Sequence, residues 1–288
     1  MLRLLLLLPI GILAISTASI FIKLCDAPAL TIAAYRVGVA SLVLIPFVAH
    51  RGTWRKWEWN HLRGCILSGF FLSLHFAFWI ASLKYTSVAS SVVLVTTHPI
   101  FVGVGARLFL QERLSFNLIL GIVLSVLGGG LIGYGDMALS KQALYGDGLA
   151  LLGAVAASGY LMMGRAIRKE QDLLSYVFPV YSTAGLVLVI LSLLFRKPFF
   201  GYSSTTYLLF FLLALIPQGI GHTTFNWALK YFPASMVAIA ILGEPVGSTA
   251  LAYFFLNEPL TPLKALGGIL IFIGVVAALT WRHKPPAS

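Results

Sequence analysis

The chain has 288 residues, of which 59% are hydrophobic and 10% charged, and its formal net charge is +11. Soluble chains carry roughly 25% charged residues on average, so a soluble fold could not cover this much apolar surface. The basic residues stand in short segments without aromatic interleaving, which argues against nucleic acid as a partner.

Apolar runs fill the chain from end to end. A transmembrane helix needs about 20 mostly apolar residues, and ten runs meet this length. They lie near residues 4–22, 29–49, 62–83, 87–110, 116–135, 146–165, 173–195, 206–229, 234–256 and 262–281. No separate soluble domain fits between them. The sequence therefore predicts an all-α integral membrane protein with ten transmembrane helices.

The first run follows Met1-Leu2-Arg3 and shares the basic start of a signal peptide. It continues to Ile22, which is longer than a signal-peptide core, and further spans follow. We interpret it as the first span. Ten spans place both termini on one side, and that side carries about twice as many Lys and Arg residues as the other. This bias predicts a multi-pass protein of the inner (plasma) membrane with cytoplasmic termini.

Polar residues occur inside the second and third spans. Arg36 lies about five residues inside the second span. It either snorkels to the outer interface, forms a structural pair or attracts an anionic substrate, and we favour the first two. His75 and Trp79 are spaced i, i+4 in the third span and share one helix face. They either line a substrate cavity or make interhelical hydrogen bonds.

The fourth span contains His98 followed by Pro99. Proline lacks an amide hydrogen and frees a carbonyl one turn earlier, and a free carbonyl at membrane depth must face protein or a wet cavity. We therefore predict a hinge at Pro99 and a substrate-binding role for His98.

The sixth and eighth spans add three further candidates for substrate binding. Tyr160 follows Ser158 and Gly159, and such small residues let helices approach closely. His222 and Asn226 repeat the i, i+4 spacing of the third span. As before, a cavity wall and plain helix packing are the two interpretations.

The ninth span places Glu244 and Pro245 about 16 Å deep, near the middle of the bilayer. A charge at this depth is costly, which makes Glu244 a functional candidate and Pro245 a second hinge. If Glu244 approaches His98, the two form a proton or cation coupling site. The alternative is a buried His–Glu hydrogen bond that only holds the helices together.

An internal repeat relates these features. Residues 100–114 (IFVGVGARLFLQERL) recur as residues 246–260 (VGSTALAYFFLNEPL), and His98-Pro99 corresponds to Glu244-Pro245. The offset of 146 residues holds without a gap from residue 83 to residue 128, and further upstream it becomes 142. The register aligns Lys-Tyr, Pro and Glu, which apolar composition alone does not explain.

The repeat divides the chain into residues 1–136 and 146–288, joined by a polar segment, GDMALSKQALYG. Each half holds five spans, and because five is odd the second half enters the membrane from the opposite face. Two inverted five-helix repeats with a substrate site at the midplane are a known transporter plan. Duplication that only builds a stable scaffold is the alternative.

The carboxyl groups of Glu112 and Glu258 each precede a residue that can cap the next helix, Ser115 and Thr261. Acidic groups near helix starts are stabilised by the helix dipole. We interpret both glutamates as hairpin architecture rather than as catalytic groups.

The pattern Pro99…Phe109-Leu110-Gln111-Glu112-Arg113-Leu114-Ser115 and its copy Pro245…Phe255-Leu256-Asn257-Glu258-Pro259-Leu260-Thr261 resembles the EamA-type domain of the drug/metabolite transporter superfamily. The resemblance covers the whole chain as two tandem domains. It implies a ten-helix carrier with cytoplasmic ends and a central cavity between the halves. It implies no particular substrate.

The leading hypothesis is a secondary transporter for a small organic metabolite such as an amino acid, an amine or a drug-like compound, with export favoured. The sequence shows no P-loop, HExxH, GxSxG or metal-ligand spacing, so we predict no cofactor, no metal and no catalytic residue. A lipid flippase is the alternative, and an intramembrane enzyme is a distant one. Two fused halves make a monomer sufficient, and a dimer is also compatible.

Overall fold

In the computed structural model the chain is helical in nearly all of the residues described here, which are 2–109, 116–134, 141–258 and 262–279. No strand occurs within these ranges. The helices are α1 (Leu2–Ser16), α2 (Ala18–Leu24), α3 (Ala29–Arg51), α4 (Trp59–Ser82), α5 (Val88–Val95), α6 (His98–Phe109), α7 (Phe116–Tyr134), α8 (Lys141–Arg168), α9 (Leu173–Leu194), α10 (Ser204–Leu213), a π-helical segment (Ala214–His222), α11 (Thr223–Ala228), α12 (Ala234–Ile241), α13 (Glu244–Leu256) and α14 (Pro262–Leu279).

Eight helical stretches are long and apolar enough to cross a membrane. They are Leu7–Leu24, Ala29–Arg51, Trp59–Ser82, Val88–Phe109, Lys141–Arg168, Leu173–Leu194, Ser204–Ala228 and Ala234–Leu256. Two shorter apolar stretches, Ile119–Leu131 and Ala265–Gly274, lie within α7 and α14. The predicted all-helical, multi-pass membrane class is thus confirmed, while the count of ten spans stays a prediction.

The distribution of side chains is that of a protein surrounded by lipid. Large apolar side chains such as Phe116, Phe254 and Phe272 are at least two-thirds exposed, whereas Arg36 and Gln218 are completely buried. A soluble protein would expose its charged side chains and bury most of its large apolar ones. These two polar side chains therefore face the interior of the helix bundle.

Helices α7 and α14 pack mainly against each other, and glycines bring them close together. A Cβ atom added to Gly128 would lie 2.5 Å from the Gly267 carbonyl oxygen and 2.9 Å from the Ile271 nitrogen. Both neighbours are backbone atoms that cannot rotate away. Small residues at this contact allow the two backbones to approach.

Gly128→Ala is therefore expected to lower the melting temperature of the purified protein, with a cost of about 1–3 kcal/mol for overpacking. Gly130→Ala is the matched control, because a Cβ atom at Gly130 meets nothing within 4 Å and gains the same helix propensity. Equal melting temperatures for the two variants would contradict the close contact. Differential scanning fluorimetry in detergent makes the comparison.

Polar contacts tie the helix ends together. His61 Nε2 lies 3.2 Å from Glu170 Oε2, so the first turn of α4 and the segment that follows α8 meet at one end of the bundle. At the start of α5, the carboxyl group of Glu258 lies 3.4 Å from the Val88 nitrogen, so this glutamate also reaches the other half of the chain. Its predicted counterpart Glu112, and the predicted caps Ser115 and Thr261, lie outside the described residues.

Candidate functional site

Two helix breaks place the ionisable residues of the fourth and ninth spans. The first break is Thr96-Thr97, between α5 and α6, and the second is Leu242-Gly243, between α12 and α13. They are 146 residues apart, which is the repeat offset. His98 therefore begins α6 and Glu244 begins α13, where the helix dipole favours a carboxylate.

The prolines lie just inside the second helix of each pair rather than at the break. Pro99 is the second residue of α6 and Pro245 the second residue of α13. Proline is well tolerated at a helix start because its missing amide hydrogen is not needed there. His98 Nδ1 lies 3.1 Å from the Val95 carbonyl oxygen, which Pro99 leaves without its helical donor. The hinge role of both prolines stays a prediction.

A central cavity of about 520 Å³, counting the part open to solvent, lies between the two breaks. Residues of α1, α4, α5, α6, α8, the π-helical segment, α11, α12 and α13 line it. Six of the seven residues predicted to bind substrate are on its wall, namely His75, Trp79, His98, Tyr160, His222 and Glu244. The structure thus brings these six together.

Aromatic rings form one side of the cavity. His75 stacks on Trp79 with ring centroids 5.9 Å apart, and His222 lies 6.3 Å from His75 and 6.2 Å from Tyr160. His75 Nδ1 is also 3.0 Å from the Gly153 carbonyl oxygen, which holds the imidazole in place. Flat apolar faces with a few fixed polar groups are what a small-molecule site requires.

Asn226 is the predicted residue that does not line the cavity. Its Oδ1 accepts a 2.6 Å hydrogen bond from Tyr160 Oη, and its Nδ2 donates to Tyr181 Oη at 3.2 Å. Tyr181 Oη also lies 3.1 Å from Thr223 Oγ1. Asn226 therefore holds Tyr160 against the cavity from behind, as interhelical hydrogen bonding would.

Of the two interpretations favoured for Arg36, snorkelling to the membrane interface is wrong, and a structural pair is formed. Its side chain is completely buried, and its guanidinium lies over the Phe76 ring at 4.1 Å. Arg36 Nε donates to Gln218 Oε1 at 3.1 Å, so the pair that it makes is with a neutral amide. Since Phe76 and Trp79 flank the guanidinium, Arg36 lies directly behind the aromatic wall.

The predicted contact between His98 and Glu244 is not formed. Both side chains reach the same cavity, but neither a hydrogen bond nor an ion pair joins them in the described part of the chain. Arg36 likewise forms no ion pair with Glu244 in the described ranges. A structural His–Glu hydrogen bond therefore does not explain why these two residues face the cavity.

Sequence reasoning missed Gln218 and Tyr181 and undervalued Arg36. Gln218 follows Pro217 inside an apolar run, the same polar-and-proline signal that marks His98 and Glu244. The π-helical segment containing it turns Gln218 toward Arg36, and such segments occur often at functional sites. Among the described residues, no three His, Cys, Asp or Glu side chains group as metal ligands.

Comparisons with known proteins agree with this architecture. The sequence model of the EamA-like transporter family matches residues 2–134 and, a second time, residues 144–280. An uncharacterized transporter of Archaeoglobus fulgidus is 26% identical over 289 residues, covering 97% of this chain and 98% of its own length. The uncharacterized transporter YdfC of Bacillus subtilis is 28% identical over 251 residues, covering 85% of this chain and 79% of its own length.

A solved protein crystal structure superposes on this chain with a TM-score of 0.77 and covers 96% of both chains. Its sequence identity of 20% makes this a likeness of fold alone. The two matches of the family model leave out residues 135–143 between them, residue 1 and residues 281–288.

Proposed function

The chain belongs to the EamA-like transporter family, and from this premise we propose that it is a secondary active transporter for a small organic metabolite. It is a multi-pass membrane protein related to transporters. In the proposed mechanism its two halves rock against each other and expose the central cavity to one side of the membrane at a time. The observation that carries this proposal is the composition of the cavity wall.

Equivalent positions of the two halves line the cavity. At the offset of 146 residues, Val95 corresponds to Ile241 and His98 to Glu244, and all four residues are on the wall. At the upstream offset of 142 residues, Ile15 corresponds to Ala157, which also lines the cavity. A cavity shared evenly by two repeats supports a substrate site on a pseudo-two-fold axis, rather than a duplication that only builds a scaffold.

Helix contacts support ten spans arranged as two inverted five-helix repeats. Helix α4 packs along α8, and its proposed counterpart, formed by α10, the π-helical segment and α11, packs along α1 and α2. A two-fold axis between the repeats would exchange α3 with α9 and α7 with α14. The two helices of each pair are in contact. A two-fold relation between residues 1–136 and 146–288 accounts for each of these pairings.

The proposed substrate site consists of His75, Trp79, His98, Tyr160, His222 and Glu244, with Asn226 as a positioning residue. We assign proton or cation coupling to Glu244 and His98, and bending to the breaks beside Pro99 and Pro245. An aromatic wall with one carboxyl group suits amino acids, amines and drug-like compounds, with export from the cell as the favoured direction. One chain contains the complete cavity, so a monomer suffices.

A transport assay tests the proposed function. The protein is reconstituted in liposomes, and ligands are first selected by thermal shift from a library of amino acids, amines and nucleosides. Saturable uptake that is accelerated by unlabelled ligand on the opposite side supports the transporter. Three other results would contradict the transporter. Flux that does not saturate would indicate a channel, and movement of labelled lipid alone would indicate a flippase. Release of a cleaved product would indicate an enzyme.

The proposed orientation in the plasma membrane predicts which loops react from which side. Arg55→Cys and Lys169→Cys are expected to react with a membrane-impermeant maleimide only after permeabilisation, and Lys197→Cys in intact cells. All three positions are exposed. The native Cys25 and Cys65 are buried, and burial raises the pKa of the Cys25 thiol to about 12, so background labelling is low. Labelling of Arg55→Cys and Lys169→Cys from opposite sides would overturn the topology.

A further inference from the structure

The guanidinium of Arg36 is a completely buried cation, and little negative charge beside it offsets the cost of its burial. Its Nε donates to the neutral side chain of Gln218, and its face lies 4.1 Å from the Phe76 ring centroid. No carboxylate forms an ion pair with it within the described ranges, and Glu244 acts on it only from a distance. A buried charge without a contacting counter-charge is strongly unfavourable, so this position calls for an anion.

Buried hydrogen-bond donors without acceptors belong to Arg36 and to two residues beside it. Arg36 Nη1, Gln218 Nε2 and Trp79 Nε1 are buried and have no hydrogen-bond partner among the described residues. The Arg36 guanidinium carbon lies 5.6 Å from the Trp79 ring centroid, and the Gln218 amide is already in contact with Arg36. Three donors and one positive charge require an acceptor that carries negative charge, because each buried unsatisfied donor is itself costly.

These donors lie next to the central cavity, behind the aromatic side chains of its wall. Trp79 belongs to both, since it lines the cavity and flanks the guanidinium. His222 lines the cavity too, and its ring lies 5.2 Å from Phe76, which carries the guanidinium on its face. Trp79 is therefore a residue that the cavity wall and the surroundings of Arg36 share.

We propose that Arg36, Gln218 and Trp79 form a subsite for the carboxylate of the transported molecule, so that the substrate is a small organic monocarboxylate. This inference rests on the proposed transport function and narrows its substrate class. A guanidinium presents paired donors that match the two oxygens of a carboxylate. One cation with two neutral donors balances a single negative charge, which favours a carboxylate over a doubly charged phosphate.

Matched ligand pairs test the subsite. The probes are 3-phenylpropionate with 3-phenylpropionamide, and L-leucine with L-leucinamide, which differ mainly in the carboxylate. For at least one pair, the carboxylate is expected to raise the melting temperature of the wild-type protein and to bind at least about tenfold more tightly than its amide. Amides that bind as tightly as the carboxylates in both pairs, or the absence of binding by both carboxylates, would overturn the proposal.

Two substitutions separate the subsite from folding. Arg36→Gln removes the cation and is expected to lose the preference for carboxylates. Gln218→Glu instead supplies an internal counter-charge to Arg36, so it is expected to raise the melting temperature without ligand while abolishing carboxylate binding. Gln218→Glu is expected to fold even if Arg36→Gln does not, so this variant decides the test. Carboxylate affinity equal to that of the wild type in Gln218→Glu would overturn the proposal.

Arg55→Gln is the control, since Arg55 is exposed and lies outside the membrane spans. It is expected to bind the carboxylates as the wild type does. Failure of the two proposals is distinguishable. Saturable counterflow of amines or amides alone would retain the transporter and reject the subsite. Carboxylate binding that depends on Arg36, without transport in liposomes, would retain the subsite and reject the transporter.

Discussion

Replacing Glu244 with glutamine is expected to uncouple transport from the proton gradient. Glu244 lies on the cavity wall at the start of α13, and it is 8% exposed. Glutamine keeps the shape of the side chain but cannot take up and release a proton. One pH unit across the membrane is worth about 1.4 kcal/mol per proton, which sustains roughly a tenfold substrate gradient. The variant should accumulate no substrate above equilibrium.

Liposomes that contain the substrate found by thermal shift, with an imposed gradient of one pH unit, provide the measurement. Exchange of labelled for unlabelled substrate without a gradient should persist in Glu244→Gln, because the substitution keeps the shape of the side chain and breaks no ion pair among the described residues. Glu58→Gln is the control, since the Glu58 side chain is 76% exposed. Full gradient-driven accumulation by Glu244→Gln would remove the coupling role from this residue.

Gly247→Val is expected to slow transport strongly by forcing α1 away from α13. A Cβ atom at Gly247 would collide with Ser16 Oγ and approach Ser16 Cβ to 2.8 Å. Ser16 is completely buried, and its hydroxyl donates to the Ile12 carbonyl oxygen at 2.8 Å, so it has little room to move. Overpacking of this kind costs about 1–3 kcal/mol, and here it acts on two helices that line the cavity.

Gly148→Val is the matched control for this prediction, because a Cβ atom at Gly148 meets nothing within 4 Å. Initial rates of counterflow should fall at least about tenfold in Gly247→Val, since misplacement of a site by about 1 Å is enough for losses of this size. Wild-type rates and an unchanged melting temperature in Gly247→Val would contradict the close contact between α1 and α13.

Several site residues were predictable because their chemistry stands out against an apolar sequence. His98 and Glu244 occur where a span should contain none but apolar residues, and the repeat aligns them in one register. The i, i+4 spacing of His75 and Trp79 indicated a common helix face, and both side chains line the same cavity. For His222 and Asn226, the same spacing was less informative, because only His222 reaches the cavity.

The direction of the Arg36 side chain could not be predicted from the sequence. In the first half of a membrane-spanning helix, a long basic side chain reaches either the interface or the interior, and the two outcomes have the same sequence. The choice depends on the neighbours Phe76 and Gln218, which are distant in the chain and adjacent only after α3, α4 and the π-helical segment pack together. The position of the helix breaks, a few residues before each proline, likewise depends on packing.

The sequence by itself determined the membrane class, the duplication and the candidate residues, which are ionisable groups inside spans where their burial is costly. These features follow from composition and periodicity, which every residue expresses locally. The tertiary structure alone decided which polar groups share a cavity, which support it from behind and which cation lacks a partner. In a chain whose lipid-facing and protein-facing surfaces are both apolar, hydropathy cannot distinguish the inside from the outside, and only the packing of the helices does so.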